Sequence, residues 1–505
     1  MTVVVAKAGG MVEFSTSAMA DEHADLGAAM TEMISDYVRG LDEAPVCSPA
    51  TSAELTTLLG GAMPVEGSGA MEVLDALRRK IVPHAMTISS PRYFGLFNPA
   101  PLPVTVWVDA LCSALNQNGA AWRQSPSVSV LESVVISWLS EVLNQPEGGF
   151  GTLTSGGSEA NLIALKCARD RAVRRAAHAG LAESGAPIRV YASEQGHYSL
   201  RRSVDILGMG RDNLRTIDTD RCFRIRLDDL RAAIEADLAR GRRPAAIVGI
   251  AGSTSTGAID PLDSLADLAA EYGLWYHVDA AYGGALAFSA THGALLHGIE
   301  RADSVTLDPH KWLFVPFSCG ALLTRHGKVG LRAAFDCTPE YLDDRRDDDD
   351  GGLDFFRYGQ LGTRRGNALK LWAALCRLGR LGYAEIIDRH LSLTHRLATH
   401  LSTMANFEVL GQVQTAVCCA RFLPGQLRHA PGPVQDELQQ RLQQRIERGG
   451  RAWLATTVLH GRRALRININ SVLTRTEHID ELVVLLQREG MAALSEQSLS
   501  RQPKT

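Results

Sequence analysis

From about residue 150 to 325, short apolar runs alternate with amphipathic stretches. Residues 188–192, 245–250, 274–278 and 304–307 are apolar runs of four to six residues and read as strands. The best-signalled helix falls between the second and third of them. Asp260 offers a cap, Pro261 suits a first turn, Leu262, Leu265, Leu268 and Ala269 form one face, and Gly273 ends it. Strand–helix–strand alternation of this kind predicts a mostly parallel sheet with helices on both sides.

The flanks carry different patterns. Leu26, Met30, Met33, Ile34, Tyr37 and Leu41 recur at helical spacing and predict a helix over about 21–45. A stretch punctuated by Pro, Ser and Gly runs on to about 70, and a second helix covers about 71–82. After about 370 a long helical stretch leads to residues 464–469, which alternate like a strand, and to a closing helix over about 477–488. This reads as a small α+β lobe. The first 20 or so residues and the tail after about 495 read as loose ends.

Composition narrows the class. A chain of 505 residues exceeds one simple core, and two or three lobes are expected. Hydrophobic content of 45% and charged content of 21% describe a soluble globular protein. A net charge of −4 argues against a nucleic-acid partner. No apolar run approaches the roughly 18 residues of a membrane span, and the N-terminus lacks the basic and apolar regions of a signal peptide. The nine cysteines show no CxxC and no zinc spacing, and Cys418 and Cys419 are adjacent on a strand-like stretch. Reduced thiols in a cytoplasmic protein, with no metal site, are the expectation.

Candidate chemistry centres on Asp308-Pro309-His310-Lys311-Trp312, between two apolar strand-like segments. A lysine amine partly desolvated there is held more readily in its reactive neutral form and attacks carbonyls. The run TSGGSEAN at 154–161 precedes a helix over roughly 159–182. Gly156 and Gly157 allow close backbone approach, the helix start offers free N–H groups, and Ser158 adds a hydroxyl, which together suit a phosphate; the bland alternative is a Ser-capped helix after a Gly turn. In HVDAAYGG at 277–284, Asp279 closes a strand, where open α/β sheets gather ligands. A carboxylate there pairs with a pyridinium nitrogen or caps a loop. At ~4 Å and an effective dielectric of ~20 such a pair is worth about 4 kcal/mol, or about three pKa units, enough to keep the ring protonated. His197, in SEQGHY at 193–198, stacks on a flat ring or is ordinary structure. Thr254, in GSTS at 252–255, donates to a cofactor oxygen or closes a turn.

These stretches, with SPRYFG at 90–95, WRQSP at 122–126 and ALKLW at 368–372, resemble the group II pyridoxal-phosphate-dependent amino-acid decarboxylases over residues 20–490. The resemblance implies the type I pyridoxal-phosphate fold: a seven-stranded, mostly parallel sheet in a large domain over 96–370, a small α+β domain over 371–505, and a helical segment over 1–95 exchanged across a homodimer with shared active sites. It implies decarboxylation of an L-amino acid to the amine through a Lys311 Schiff base and a quinonoid intermediate. Asp279 would pair with the ring nitrogen, and His197 would stack on the ring. Gly157, Ser158 and His310 would hold the phosphate, with Asp308 beside it and Thr254 near the ring substituents.

The product rests on one further residue. Residues 337–360 form a long, charged stretch of the kind that makes a lid. By the resemblance, Tyr341 within it reprotonates Cα, where aldehyde-forming relatives carry another residue. The run Asp347–Asp350 reads as a solvated loop tip rather than a metal site. The substrate pocket departs from the aromatic decarboxylases: Ile88, Leu96, Phe97, Asn98 and Pro99 occupy one wall, and Ala120 falls where those relatives carry a partner-chain aromatic. Small or acidic amino acids, or a bulky conjugated one, are expected in place of dopa or tryptophan. Arg364 and Arg365 contact an acidic group or brace the small lobe. Oxidative deamination to an aldehyde and β-elimination on a cysteine conjugate are the alternatives on this scaffold, and a non-catalytic scaffold protein is the alternative outside it.

Overall fold

The computed structural model describes residues 3–7, 10–335, 337 and 352–500. The N-terminal segment holds a hairpin, β1 (Val3–Lys7) and β2 (Gly10–Phe14), and three helices, α1 (Thr16–Arg39), α2 (Ser52–Leu59) and α3 (Ala70–Lys80). α1 starts and stops earlier than its apolar spacing predicts. Ser15 accepts a hydrogen bond from the Ala18 N–H and starts the helix there, and Gly40 ends it. α2 lies inside the stretch read as irregular. It is set by a capping box, in which Thr51 Oγ1 accepts from Glu54 N (3.3 Å) and the Glu54 carboxylate accepts from Thr51 N (2.7 Å). None of the three helices buries a residue within this chain.

Then come β3 (Tyr93–Phe94), α4 (Pro103–Leu115) and α5 (Pro126–Val142), and the α/β region. Its strands are β4 (Phe150–Thr154), β5 (Ile188–Ser193), β6 (Leu214–Ile217), β7 (Arg243–Ile250), β8 (Trp275–Asp279), β9 (Ser304–Leu307) and β10 (Gly320–Thr324). They form one sheet in the order β4-β10-β9-β8-β7-β5-β6. β10 runs antiparallel to both its neighbours, and the other pairings are parallel. The intervening helices are α6 (Gly157–Ala172), α7 (Ala176–Ala179), α8 (Tyr198–Ile206), α9 (Leu227–Ala239), α10 (Leu262–Tyr272) and α11 (Gly327–Phe335). The helix expected over 159–182 breaks at Val173, whose backbone is extended.

Asp260 does not cap α10. Its carboxylate turns inward and accepts from Ile225 N (2.7 Å) and Ile250 N (2.9 Å), tying the 220–226 loop to the end of β7. Burial pushes its pKa up to about 7. Gly273 ends α10 as expected, at φ +66°.

The small domain begins with α12 (Ala368–Thr403), interrupted at Gly379, φ +60°. It continues through β11 (Phe407–Leu410), β12 (Val417–Phe422), α13 (Gly432–Arg448), β13 (Trp453–Leu459), β14 (Arg462–Asn468) and α14 (Thr476–Ser500). Its sheet runs β11-β12-β14-β13-β3. The last strand comes from the N-terminal segment, with Tyr93 paired to Trp453 in parallel register. The chain therefore returns to its own beginning and clamps residues 93–94 against the small domain.

Candidate active site

The C-terminal ends of β4, β5, β7, β8 and β9 open on one side of the sheet. There they surround a cavity of about 350 Å³ lined by, among others, Gly157, Ser158, His197, Thr254, Asp279, Asp308, His310, Lys311 and Phe97. Each arrives for a local reason. Asp279 is the last residue of β8, a strand buried along its whole length. Asp308 follows β9 directly, and the turn after it brings Lys311 back, with Lys311 N donating to Asp308 O at 2.9 Å. His197 precedes α8, and Gly157 opens α6.

One end of the cavity is built for an anion. α6 starts without a side-chain cap, so its N-terminal end presents backbone N–H groups toward an anion. A methyl group at Gly157 would lie 2.9 Å from Asp308 Oδ2 and 3.1 Å from Ala281 Cβ, so only glycine keeps this cradle open. His310 Nδ1 accepts from Cys319 N at 3.1 Å, which leaves Nε2–H as its donor, and burial lowers its pKa.

The other groups are fixed as firmly. Lys311 Nζ lies 2.9 Å from Asp308 Oδ2 and 5.8 Å from the centre of the Phe97 ring. Asp308 Oδ1 is buried with no hydrogen-bond partner among the described residues. His197 Nδ1 accepts from Ser199 N (3.3 Å) and contacts Ser199 Oγ (2.8 Å), and burial lowers its pKa. Asp279 accepts from Asn161 Nδ2 (2.8 Å) and Ala281 N (3.2 Å). Thr254 lines the cavity, and its carbonyl accepts from Arg466 Nε at 2.6 Å. An amine, a carboxylate at a strand end, a flat imidazole and an anion cradle therefore face one space, and this set fits pyridoxal phosphate: an aldehyde, a ring nitrogen, a ring face and a phosphate.

The expected substrate wall is only partly there. Phe97 lines the cavity and stacks on Tyr282, with ring centres 3.7 Å apart. Leu96 is 49% exposed, and Asn98 is held outside the cavity by Tyr93 Oη at 2.7 Å. Ala120 is buried under residues 352–358, its carbonyl accepting from Phe356 N. Arg364 does not reach the cavity, because Glu132, Thr152 and Leu153 take its guanidinium. Arg365 is bound to Asp109. Tyr341 and Asp347–Asp350 lie outside the described residues. Asn161, Gln195, Tyr282 and Phe317 also line the space. Asn161 had a visible signal: four residues after Gly157, it lies one helical turn on and on the same face.

Fold and cavity together define a pyridoxal-phosphate enzyme of fold type I. The chain belongs to the pyridoxal-dependent decarboxylases: the model of the pyridoxal-dependent decarboxylase conserved domain matches residues 53–422. It is 31% identical over 469 residues to the aromatic-L-amino-acid decarboxylase of Bacillus atrophaeus, covering 93% of this chain and 95% of that one. It is 29% identical to a phenylacetaldehyde synthase of Arabidopsis thaliana, covering 92% and 95%. The crystal structure of Oryza sativa TDC with PLP and tryptamine superposes with a TM-score of 0.89 at 28% identity, covering 95% of this chain and 99% of that one. The protein is thus a pyridoxal-phosphate-dependent carboxy-lyase acting on an amino acid. No helix among the described residues is long and apolar enough to cross a membrane.

Proposed function

We propose that Lys311 carries the cofactor and that the product is the primary amine with carbon dioxide. The observation that carries this reading is the convergence of Lys311, Asp279, His197 and the α6 cradle on one cavity. Lys311 would hold the aldehyde of the cofactor through its amine. Asp279 pairs with the ring nitrogen, and His197 packs on the ring face. Gly157, Ser158 and His310 hold the phosphate, and Thr254 lies toward the ring substituents. Pyridoxal phosphate, when bound, supplies the electron sink for the pair left on Cα as carbon dioxide departs. Tyr341 returns a proton to Cα. Leu96 and Ala120 line no part of this cavity within one chain, but neither offers an aromatic surface, which supports a small or acidic amino acid or a bulky conjugated one as the substrate.

A second copy of the chain is the proposed partner. α4 exposes Trp107, Leu111 and Leu115 at four-residue spacing, and α3 exposes Val73 and Leu77. A homodimer covers such faces, and sedimentation at micromolar concentration tests it. The nine cysteines are all unpaired, which favours a reducing, cytoplasmic setting.

The deciding experiment is a panel of L-amino acids and cysteine conjugates scored for carbon dioxide, amine, aldehyde, hydrogen peroxide and thiol. Amine stoichiometric with carbon dioxide is expected, and Tyr341→Phe should divert product to aldehyde with oxygen consumed. Aldehyde and peroxide from the unaltered enzyme would overturn the role of Tyr341, and thiol release would point to β-elimination.

A further inference from the structure

We infer that Asn161 is the positioning residue that locks Asp279 and His197 into one unit, so that ring nitrogen and ring face are gripped together. The inference rests on the roles just proposed for those two residues. Its basis is a saturated buried amide. Asn161 Nδ2 donates to Asp279 Oδ2 (2.8 Å) and to Ser199 Oγ (3.0 Å). Asn161 Oδ1 accepts from Thr306 Oγ1 (2.8 Å) and contacts His277 Nε2 at 3.0 Å. An amide has two donors and two lone pairs, and all four are used. None of these five side chains is more than 6% exposed.

The directions are set by the neighbours. Ser199 N donates to His197 Nδ1, so that nitrogen is an acceptor and the Ser199 hydroxyl also donates to it. Ser199 Oγ therefore accepts a hydrogen bond from Asn161 and donates one to His197. On the other side, Trp275 Nε1 donates to Ser304 Oγ (2.8 Å), whose hydroxyl is 2.9 Å from His277 Nδ1. His277 Nδ1 also lies 3.1 Å from Ser304 O, so the direction of the amide is set from its other side, where Asp279 Oδ2 accepts from Asn161 Nδ2. Burial lowers the His277 pKa to about 4, in keeping with a neutral ring. Flipping the amide would set its oxygen against Asp279 Oδ2, acceptor against acceptor. Asp279 and His197 thus share one fixed support through Asn161 and Ser199.

The test uses the apoenzyme and pyridoxal phosphate. Asn161→Ala should raise the cofactor dissociation constant at least tenfold, shift the absorption band of the bound cofactor, and lower kcat at least tenfold with KM changed less than threefold. Ser199→Ala should shift the same quantities less, and its effect should be smaller in the Asn161→Ala background than in the wild type, because Asn161 reaches His197 through Ser199. Should Asn161→Ala fail to fold, Asn161→Ser and Ser199→Ala carry the same readouts. Cofactor affinity within twofold of the wild type with an unchanged spectrum would overturn the inference, as would additive effects of the two substitutions. Borohydride reduction and peptide mapping keep the two levels apart. A pyridoxyl group on Lys311 with an indifferent Asn161 sinks this inference alone, whereas no label on Lys311 sinks the proposed site.

Discussion

Arg364 offers a sharp test of how the site is built. Its Nη2 contacts Glu132 Oε1 at 2.5 Å and donates to Thr152 Oγ1 at 3.1 Å and Leu153 O at 2.7 Å. Glu132 Oε1 also accepts from Leu153 N at 2.9 Å. The two side chains are 9% and 4% exposed. Both backbone groups of Leu153 are thus held by one buried ion pair, and β4 runs straight on into the Gly156–Gly157 cradle. Removing one partner of such a pair leaves an uncompensated buried charge, at a cost of about 3–5 kcal/mol. Arg364→Ala should lose that much stability in urea unfolding of the apoenzyme, a large share of the roughly 5–15 kcal/mol a protein has. The KM for neutral and acidic substrates should move together, by less than threefold. Replacing the pair together, Glu132→Leu with Arg364→Met, should recover part of the loss, since no lone charge remains. The reasoning fails if Arg364→Ala unfolds within 0.5 kcal/mol of the wild type (about the scatter of surface substitutions) while KM rises at least tenfold for acidic substrates alone. That result would make Arg364 a substrate contact after all.

Two further outcomes follow from individual residues. His390 is fully buried, its Nδ1 accepting from Trp312 Nε1 (3.0 Å) and its Nε2 donating to Ser471 O (3.1 Å), and burial lowers its pKa to about 3. The unfolded chain binds this proton near pH 6.5 and the folded one does not, so stability is lost as pH falls below that value. Between pH 7.5 and 4.5 the loss from this group is about 2.7 kcal/mol, and His390→Gln should flatten the unfolding-versus-pH curve by that amount; an unchanged slope refutes it. Gly157→Ala should raise the cofactor dissociation constant at least tenfold with little change in apoenzyme melting, because the added methyl meets Asp308 Oδ2 and Ala281 in the cradle rather than the core; equilibrium dialysis measures it, and unaltered affinity counts against the phosphate assignment.

The residues proposed to hold the cofactor are legible in the chain because they sit at strand ends, and an apolar run followed by Asp279 or Asp308 marks such an end directly. Partners distant in sequence leave no such mark. Arg364 reads as a free basic motif until Glu132, 232 residues earlier, is seen to take its guanidinium. Asp260 before Pro261 has the form of a cap, yet two backbone N–H groups, one from a loop 35 residues earlier, outbid the helix for its carboxylate. α2 shows the opposite failure. Its Thr51–Glu54 capping box is written in the sequence, but the Pro, Ser and Gly around it predict irregular chain.

The strand over 464–469 explains why the substrate wall was harder to read than the cofactor cradle. Alternation of this kind ordinarily marks one dry face and one wet face. Here the polar face is dry as well: Arg466, Asn468 and Asn470 are 3%, 0% and 1% exposed. Arg466 donates to Gly95 O (2.6 Å) and Thr254 O (2.6 Å), with its guanidinium 4.6 Å from the Phe97 ring centre. Asn468 donates to Tyr282 Oη (2.8 Å) and Asn470 to Leu96 O (2.7 Å). The polar side of a small-domain strand therefore holds the backbone at 95–96, the Phe97–Tyr282 stack and the Thr254 turn. The proposed cofactor contacts lie at the ends of the large sheet and follow from local motifs. On the proposed reading the substrate wall involves residues 95–97, which the small-domain strand holds in place, so side-chain size at Leu96 alone does not determine which amino acid fits.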